Sequence, residues 1–397
     1  MLLRRHFWRH ATYSEIAELY MSRMLRLAAL HIASAFMSIY MYQVGYSIGQ
    51  IALFWACFYL FKFFAALPIA ALVARIGPKH GILVSNLLYI PSIVSFAFLP
   101  VLGPWLLLPV LILQGISSSM YSIAYTIDFS KVKSIDHAGK EIAYMNIIEK
   151  VTTGISPLIG GIIAYLFGPQ VVLVIAGALF ALAAVPLFNS GEQIQTHIKL
   201  QFKGFPWRLI RQHWMGQVAL GFDVFTSGTA WTMYTAVLVI GISSNNDVYV
   251  ITGLLLSVVL VAALISSYIY GKIIDKSGGR LLMKASIFAN ALTHLIRPFI
   301  NSPVSAAGLN AVNEVATTGY TLPYTRAVFE NADLSGHRTT YVGMIDVLSN
   351  FGAFLAASVL GLLTLAAGST FALTNIFFVA AAVALLVLTA HFSLYKK

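Results

Sequence analysis

Apolar runs of about 20 residues follow one another along nearly the whole of this 397-residue chain, each long enough to cross the hydrocarbon core of a bilayer as a helix. In hydrocarbon every backbone N–H and C=O must find its partner within the protein. Only helices and closed barrels satisfy that demand, and runs of this length select helices. Twelve spans are expected, near 25–44, 50–74, 81–102, 105–128, 140–166 and 170–188, then 214–240, 248–271, 281–299, 304–327, 339–366 and 370–393. The longest polar stretches are 1–24 and 189–213, which leaves no room for a separate soluble domain. With 59% hydrophobic and 10% charged residues, the chain has too little polar surface for a water-soluble globule. The expected division is a basic N-terminal segment (1–24), a six-helix bundle (25–188), a linker (189–213) and a second six-helix bundle (214–397).

The basic residues set an orientation. All of the 25 Lys and Arg except Lys62, Lys150 and Arg297 fall in segments that share one side of the membrane. The positive-inside rule makes that side cytoplasmic, with both termini there, in a plasma (prokaryotic inner) membrane. The net charge of +11 then reports topology and attraction to anionic headgroups, and calls for no nucleic-acid partner. The single cysteine, Cys57, lies inside a span and excludes an intrachain disulfide. No Walker A sequence, H-E-x-x-H, G-x-S-x-G, dinucleotide fingerprint or Cys/His cluster occurs, so neither an enzyme nor a cofactor or metal is expected.

The two halves repeat. Gln114, Ser118, Tyr121 and Tyr125 in the fourth span match Asn313, Thr317, Tyr320 and Tyr324 in the tenth at an offset of 199. Gly139, Tyr144 and Glu149 match Gly336, Tyr341 and Asp346 at an offset of 197. A basic loop closes the pattern: Gly271, Asp275, Lys276, Gly278, Gly279 and Arg280 in the second half, and Arg75, Gly77 and Lys79 in the first, 201 positions earlier. Parallel six-helix repeats are a transporter arrangement in which the substrate site lies where the halves meet.

Over nearly its whole length the chain resembles the major facilitator superfamily of secondary transporters. The family's loop signature, G-x-x-x-D-[RK]-x-G-[RK]-[RK], is well kept at 271–280 and degenerate at 70–79, where Ala70 and Ala74 replace the Gly and the Asp. By that resemblance Asp275 braces a gate against the start of the fifth span, where a helix N-terminus favours a carboxylate. The plainer reading of Lys276, Gly278 and Arg280 is a positive-inside turn. Gly154, Pro157, Gly160 and Gly161 partly match a Pro-Gly-Gly pattern of some exporters in the family. A close packing seam between the fifth and eighth spans is the plainer and favoured reading of them.

The resemblance also implies that the first, fourth, seventh and tenth spans line a central cavity, and each carries a polar stripe at helical spacing. The stripes are His31, Ser34, Ser38 and Tyr42; Gln114, Ser118, Tyr121, Tyr125 and Asp128; Asp223, Ser227, Trp231 and Tyr234; and Asn310, Asn313, Glu314, Thr317, Tyr320 and Tyr324. Such side chains avoid lipid, so they face either a cavity or one another. Glu314, Asp223 and Asp346 are candidate proton carriers, because desolvation favours the neutral form of a carboxylate. His31 is a candidate titrating group or a hydrogen-bonding spacer. Lys62, in the middle of an aromatic-rich span, needs a partner. Asp346 is the expected mate, with Glu149 and Lys150 as the corresponding charged pair; a cavity-lining cation for an anionic cargo is the other reading. Arg297 is expected as an anchor at the membrane surface. The function these features suggest is a monomeric, proton-coupled secondary transporter of a small organic molecule, with a slight lean to export. A lipid or lysolipid flippase, or a receptor on a transporter scaffold, are alternatives.

Overall fold

The computed structural model describes residues 15–132, 138–188, 200–242, 247–277 and 279–395. They form helices and connecting turns, with no strand among the described residues. The first half runs through α1 (Glu15–Gln43), α2 (Ile48–Ile76), α3 (Pro78–Ala97), α4 (Leu107–Val132), α5 (Ala138–Phe167) and α6 (Pro169–Ala184). A short helix, Trp207–Arg211, precedes α7. That passage is helical in four pieces: Trp214–Phe225, a π-helical turn Thr226–Ala230, Trp231–Tyr234 and a second π-helical turn Thr235–Ile240. Then come α8 (Asp247–Ser257 and Val259–Ser277), α9 (Arg280–Ile296), α10 (Pro303–Leu334), α11 (Arg338–Ala367) and α12 (Ser369–Ala384).

Nine helices among the described residues are long and apolar enough to cross a membrane by length and composition. The other three passages miss that description for separate reasons. The seventh is interrupted by its π turns, the ninth is 17 residues long, and the tenth carries the polar stripe. The helix ends follow local chemistry. Ser47 and Ser302 open α2 and α10 as N-caps with reciprocal side-chain bonds to Gln50 and Ser305, satisfying N–H groups that lack helical acceptors. Gly77 (φ 92°) and Gly279 (φ 78°) turn the chain in the two basic loops, where a Cβ would be strained. The π turns of α7 coincide with Thr226 and Thr235. Their hydroxyls reach back to the carbonyls of Phe222 (3.1 Å) and Asp223 (3.2 Å), and of Trp231 and Thr232 (3.0 Å each), and so compete with the helical ladder.

The helix pairings repeat between the halves. α1 packs on α5 and α6, and α7 on α11 and α12; α3 packs on α4 and α6, and α9 on α10 and α12. Across the halves the main contacts are α2 with α11, the most extensive pairing in the molecule, and α5 with α8, with a smaller one between α4 and α11. The α5–α8 seam uses the glycines noted in the sequence. A Cβ at Gly161 would lie 2.5 Å from the Tyr249 carbonyl oxygen, and one at Gly253 would lie 2.5 Å from that of Pro157. Gly160 does the same for α1, 2.3 Å from the Ile32 carbonyl oxygen. The Pro-Gly-Gly stretch is thus a close-packing surface, as the seam reading expected.

The buried clusters differ between the two ends of the bundle. At the end away from the chain termini, one apolar cluster joins both halves, running from Ala29–Met41 and Ile48–Phe58 to Phe222–Ala236, Val248–Leu255 and Ala353–Leu360. There the Tyr249 hydroxyl donates to Gln43 Oε1 at 2.5 Å, and Phe36 meets the Tyr249 ring edge-on at 5.4 Å. Toward the basic end the clusters separate. One belongs to the first half apart from Val342 and the nearby Phe329, and two belong to the second half and the linker before it. The apolar packing between the halves is therefore continuous at the far end and divided into separate clusters toward the end that carries the basic loops.

Candidate functional site

Two ion pairs organise the middle of the molecule. Lys150 of α5 donates to Glu314 of α10 at 2.5 Å, joining one half to the other. Glu149 accepts from Arg23 Nε of α1 at 2.7 Å, within the first half. Glu149 and Lys150, expected as one charged pair, thus serve two partners, because consecutive helical residues diverge by about 100°. Each lies roughly 18 Å along α5 from its basic end at 1.5 Å per residue, which is near mid-membrane. The Lys150 and Glu314 side chains remain 29% and 16% exposed. Charged atoms at that depth do not face lipid, so the exposure belongs to the gap between the halves. Glu314 also accepts from Thr318 Oγ1 at 3.0 Å. His31, half-buried on α1, lies within electrostatic reach of Arg23 and Lys150.

Asp346 also marks the boundary. It accepts from Ser119 Oγ of α4, in the other half, and from Asn350 Nδ2, at 2.9 Å each. Lys62 does not form the direct ion pair with Asp346 that the sequence suggested. Its Nζ lies 5.4 and 5.6 Å from the ring centroids of Phe58 and Tyr59, within cation–π range. It acts on Asp346 only at longer range, because serine and asparagine already occupy that carboxylate.

The interior of each half holds a further buried charge, of which the sequence singled out only Asp223. Arg26, counted above among the topology-setting charges, is 1% exposed. Its guanidinium donates to Asn86 Oδ1 at 2.6 Å and to Ser117 Oγ at 3.4 Å, and lies 3.9 Å from the Tyr121 ring centroid. In the second half Asp223 accepts from His294 Nε2 (2.6 Å), Ser227 Oγ (2.9 Å), Asn290 Nδ2 (3.3 Å) and the Tyr320 hydroxyl. His294 Nδ1 in turn meets Arg297 NH1 at 2.9 Å. Because a guanidinium only donates, Nδ1 accepts, Nε2 carries the proton, and the imidazole is neutral between an anion and a cation. Arg297 is 1% exposed, which corrects the expectation of a surface anchor. The two centres are repeat-related: Arg26 and Asp223 are 197 positions apart, and Tyr121 and Tyr320 are 199 apart. The same place in the duplicated fold holds a cation in one half and an anion in the other.

The predicted stripes divide accordingly. His31, Tyr42, Ser118, Ser227, Asn313 and Thr317 are partly exposed, and Ser118 Oγ is buried without a partner among the described residues. Others point into their own half. Ser38 accepts from Trp55 Nε1 at 2.9 Å. Gln114 donates to the Tyr89 hydroxyl. Trp231 Nε1 donates to Asn310 Oδ1 at 2.6 Å, and Tyr234 donates to the carbonyls of Pro298 (3.1 Å) and Ile300 (2.9 Å). Tyr324 packs edge-on against Phe392 at 4.9 Å. Tyr121 and Tyr125 stack at 5.5 Å under Arg23, which lies 4.4 Å from the Tyr125 centroid. Part of each stripe is therefore taken up by hydrogen bonding and packing within its own bundle, and part stays partly exposed. The side chain of Ser34 lies outside the described residues.

In the basic loops Arg75, Lys276 and Arg280 are exposed, and Arg280 donates to the Tyr395 carbonyl at 3.2 Å. Gly271 meets nothing that a Cβ would touch. Gly278 and the side chain of Asp275 lie outside the described residues. In the first half the loop is braced by Lys79, which donates to Glu18 at 2.7 Å with both side chains buried. Glu18 was missed because the first helix was expected to begin at 25, whereas α1 begins at Glu15.

Comparison with known proteins places this geometry. The sequence matches the Major Facilitator Superfamily over residues 19–243, more than half of the chain. It is 25% identical over 280 residues to the multi-drug resistance efflux pump PmrA homolog of Lactococcus lactis subsp. lactis (strain IL1403), covering 68% of each protein. Crystal structures of a POT family transporter, one with 5-aminolevulinic acid and one with a thioalcohol conjugated peptide, superpose with a TM-score of 0.70 at 13% identity, over 94% of this chain and 95% of theirs; at that identity the likeness concerns the fold. With its two repeat-related bundles, its pairings of α2 with α11 and α5 with α8, and this match, the chain is an integral membrane protein that belongs to the Major Facilitator Superfamily of secondary transporters.

Proposed function

We propose that the protein exchanges protons for a small organic molecule by alternating access, and that Glu314 carries the proton. The observation that supports this reading most directly is the partly exposed Lys150–Glu314 pair bridging the halves near mid-membrane. Protonation of Glu314 removes the charge that holds Lys150 and frees the halves to rock. Asp346 is a second candidate, since it joins α11 to α4 across the same boundary. Asp223 suits the role less well. Its hydrogen-bond partners among the described residues, Ser227, Asn290, His294 and Tyr320, belong to its own half, and a buried arginine depends on its charge.

In the proposed orientation the basic end is cytoplasmic, in a plasma membrane, with the gap open to that side and the cargo exported. The efflux pump to which the chain is similar supports that direction. The test is proton flux into sealed liposomes containing purified protein and a pH-sensitive dye, with candidate cargoes added. Cargo-dependent flux that Glu314→Gln abolishes is expected. Flux that survives the substitution removes Glu314 from the role, and absence of any cargo-dependent flux overturns proton coupling.

A further inference from the structure

Both charges of the inter-half ion pair are matched, and this constrains what can take their place. Glu314 and Lys150 face each other at 2.5 Å, half-screened in the gap. Around them, Arg23 already belongs to Glu149, and His31 lies near Arg23 and Lys150. Lys62 lies farther off with Asp346. A cation entering the gap to reach Glu314 meets Lys150 at the same carboxylate and leaves that ammonium without its counter-ion. An anion drawn to Lys150 leaves Glu314 facing it. A molecule that carries both signs meets neither penalty, because its cationic group takes over Glu314 while its anionic group takes over Lys150. Even in a partly hydrated pair, removing one partner costs more than exchanging both.

We propose that the cargo is amphoteric: a small molecule with an amine-type cation and a carboxylate-type anion that together replace the Lys150–Glu314 pair. This rests on the proposed site but not on proton coupling. Close to this pair, the Arg23 that Glu149 holds is backed by the buried, stacked rings of Tyr121 and Tyr125, which keeps it from competing for the cargo's anion.

The experiment is counterflow in liposomes without a pH gradient, so that it reads recognition whether or not protons move. Matched trios are compared: phenylalanine and tryptophan as zwitterions, their amides as cations, and their N-acetyl derivatives as anions. The wild-type protein should exchange the zwitterions at concentrations about tenfold or more below either singly charged analogue, a modest factor because the pair is partly hydrated. Lys150→Met should shift preference toward the amides, and Glu314→Gln toward the N-acetyl compounds. The double variant Lys150→Glu with Glu314→Lys keeps a pair in place and should keep the preference for zwitterions. It also guards against a single variant that fails to fold. Equal exchange of all three charge types, preference for a singly charged analogue in the wild type, or no exchange of either zwitterion overturns the proposal. Proton flux failing while zwitterion counterflow persists overturns only the proton reading.

Discussion

Asp223→Asn separates a structural charge from a transport charge, and its cost follows from the contacts. The carboxylate accepts from Ser227, His294 and Tyr320 with good geometry and from Asn290 at 3.3 Å. A hydrogen bond to a charged group is worth about 1 kcal/mol more than a neutral one, so removing the charge from three good bonds costs roughly 3 kcal/mol. The new amide N–H₂ also turns a donor toward groups that donate, adding about 1 kcal/mol or more. Arg297, 1% exposed, meanwhile loses the anion it reaches through His294 and Ser227. The expected loss is therefore about 4 kcal/mol, or a fall in Tm of roughly 5–10 °C, read by intrinsic fluorescence during heating in mild detergent. Replacing a whole buried charge network by apolar groups is often close to neutral. Asp223→Asn combined with Arg297→Met should thus recover at least half of that loss. A single variant that melts with the wild type, or a double variant whose losses simply add, refutes the reasoning. The contrasting Glu314→Gln should cost no more than about 1 kcal/mol, because that pair is partly exposed.

Two further outcomes are expected. Gly253→Val puts side-chain atoms where the Pro157 carbonyl oxygen already lies 2.5 Å from an ideal Cβ; the α5–α8 seam must open, and about 2–3 kcal/mol of stability and most counterflow should be lost, whereas Gly271→Val, with open space around it, should leave both unchanged. His213, buried at the end of the linker with Nε2 2.6 Å from the Tyr341 hydroxyl, has its pKa pushed down by burial to about 4. Its contribution is complete above the unfolded value near 6.5 and is lost as pH falls toward 4. At pH 5 this amounts to about 2 kcal/mol, and melting curves of His213→Gln should lack that part of the acid sensitivity.

How far the site was legible in the sequence depended on what each residue's neighbours in the chain reveal. The repeat of Tyr121 and Tyr125 as Tyr320 and Tyr324 was visible because duplication leaves a fixed offset. Glu314 was visible because a carboxylate within an apolar stretch is costly. Its partner was not, because Lys150 and Glu314 are 164 positions apart and nothing in either helix says which face meets which. Arg26, Arg23 and Glu18 were hidden by an N-terminal helix that starts ten residues before its apolar run; hydropathy marks where a helix is oily, whereas packing decides where it ends. Arg297 misled for a related reason, since the end of a span reads as a surface whether or not its side chain folds back onto Trp231 and Phe377.

The sequence by itself determined that the chain is helical, that it lies in a membrane and that it is built twice over. Backbone hydrogen bonding in hydrocarbon allows little else, and an internal repeat survives as matched polar positions. Only the tertiary structure decided which charges meet. It sent the neighbours Glu149 and Lys150 to opposite tasks and gave Asp346 to Ser119 rather than Lys62. It also placed a cation in one half where its repeat places an anion. Those choices depend on helix rotation and on angstrom-scale contact between residues far apart in the chain, and a one-dimensional pattern does not contain that information.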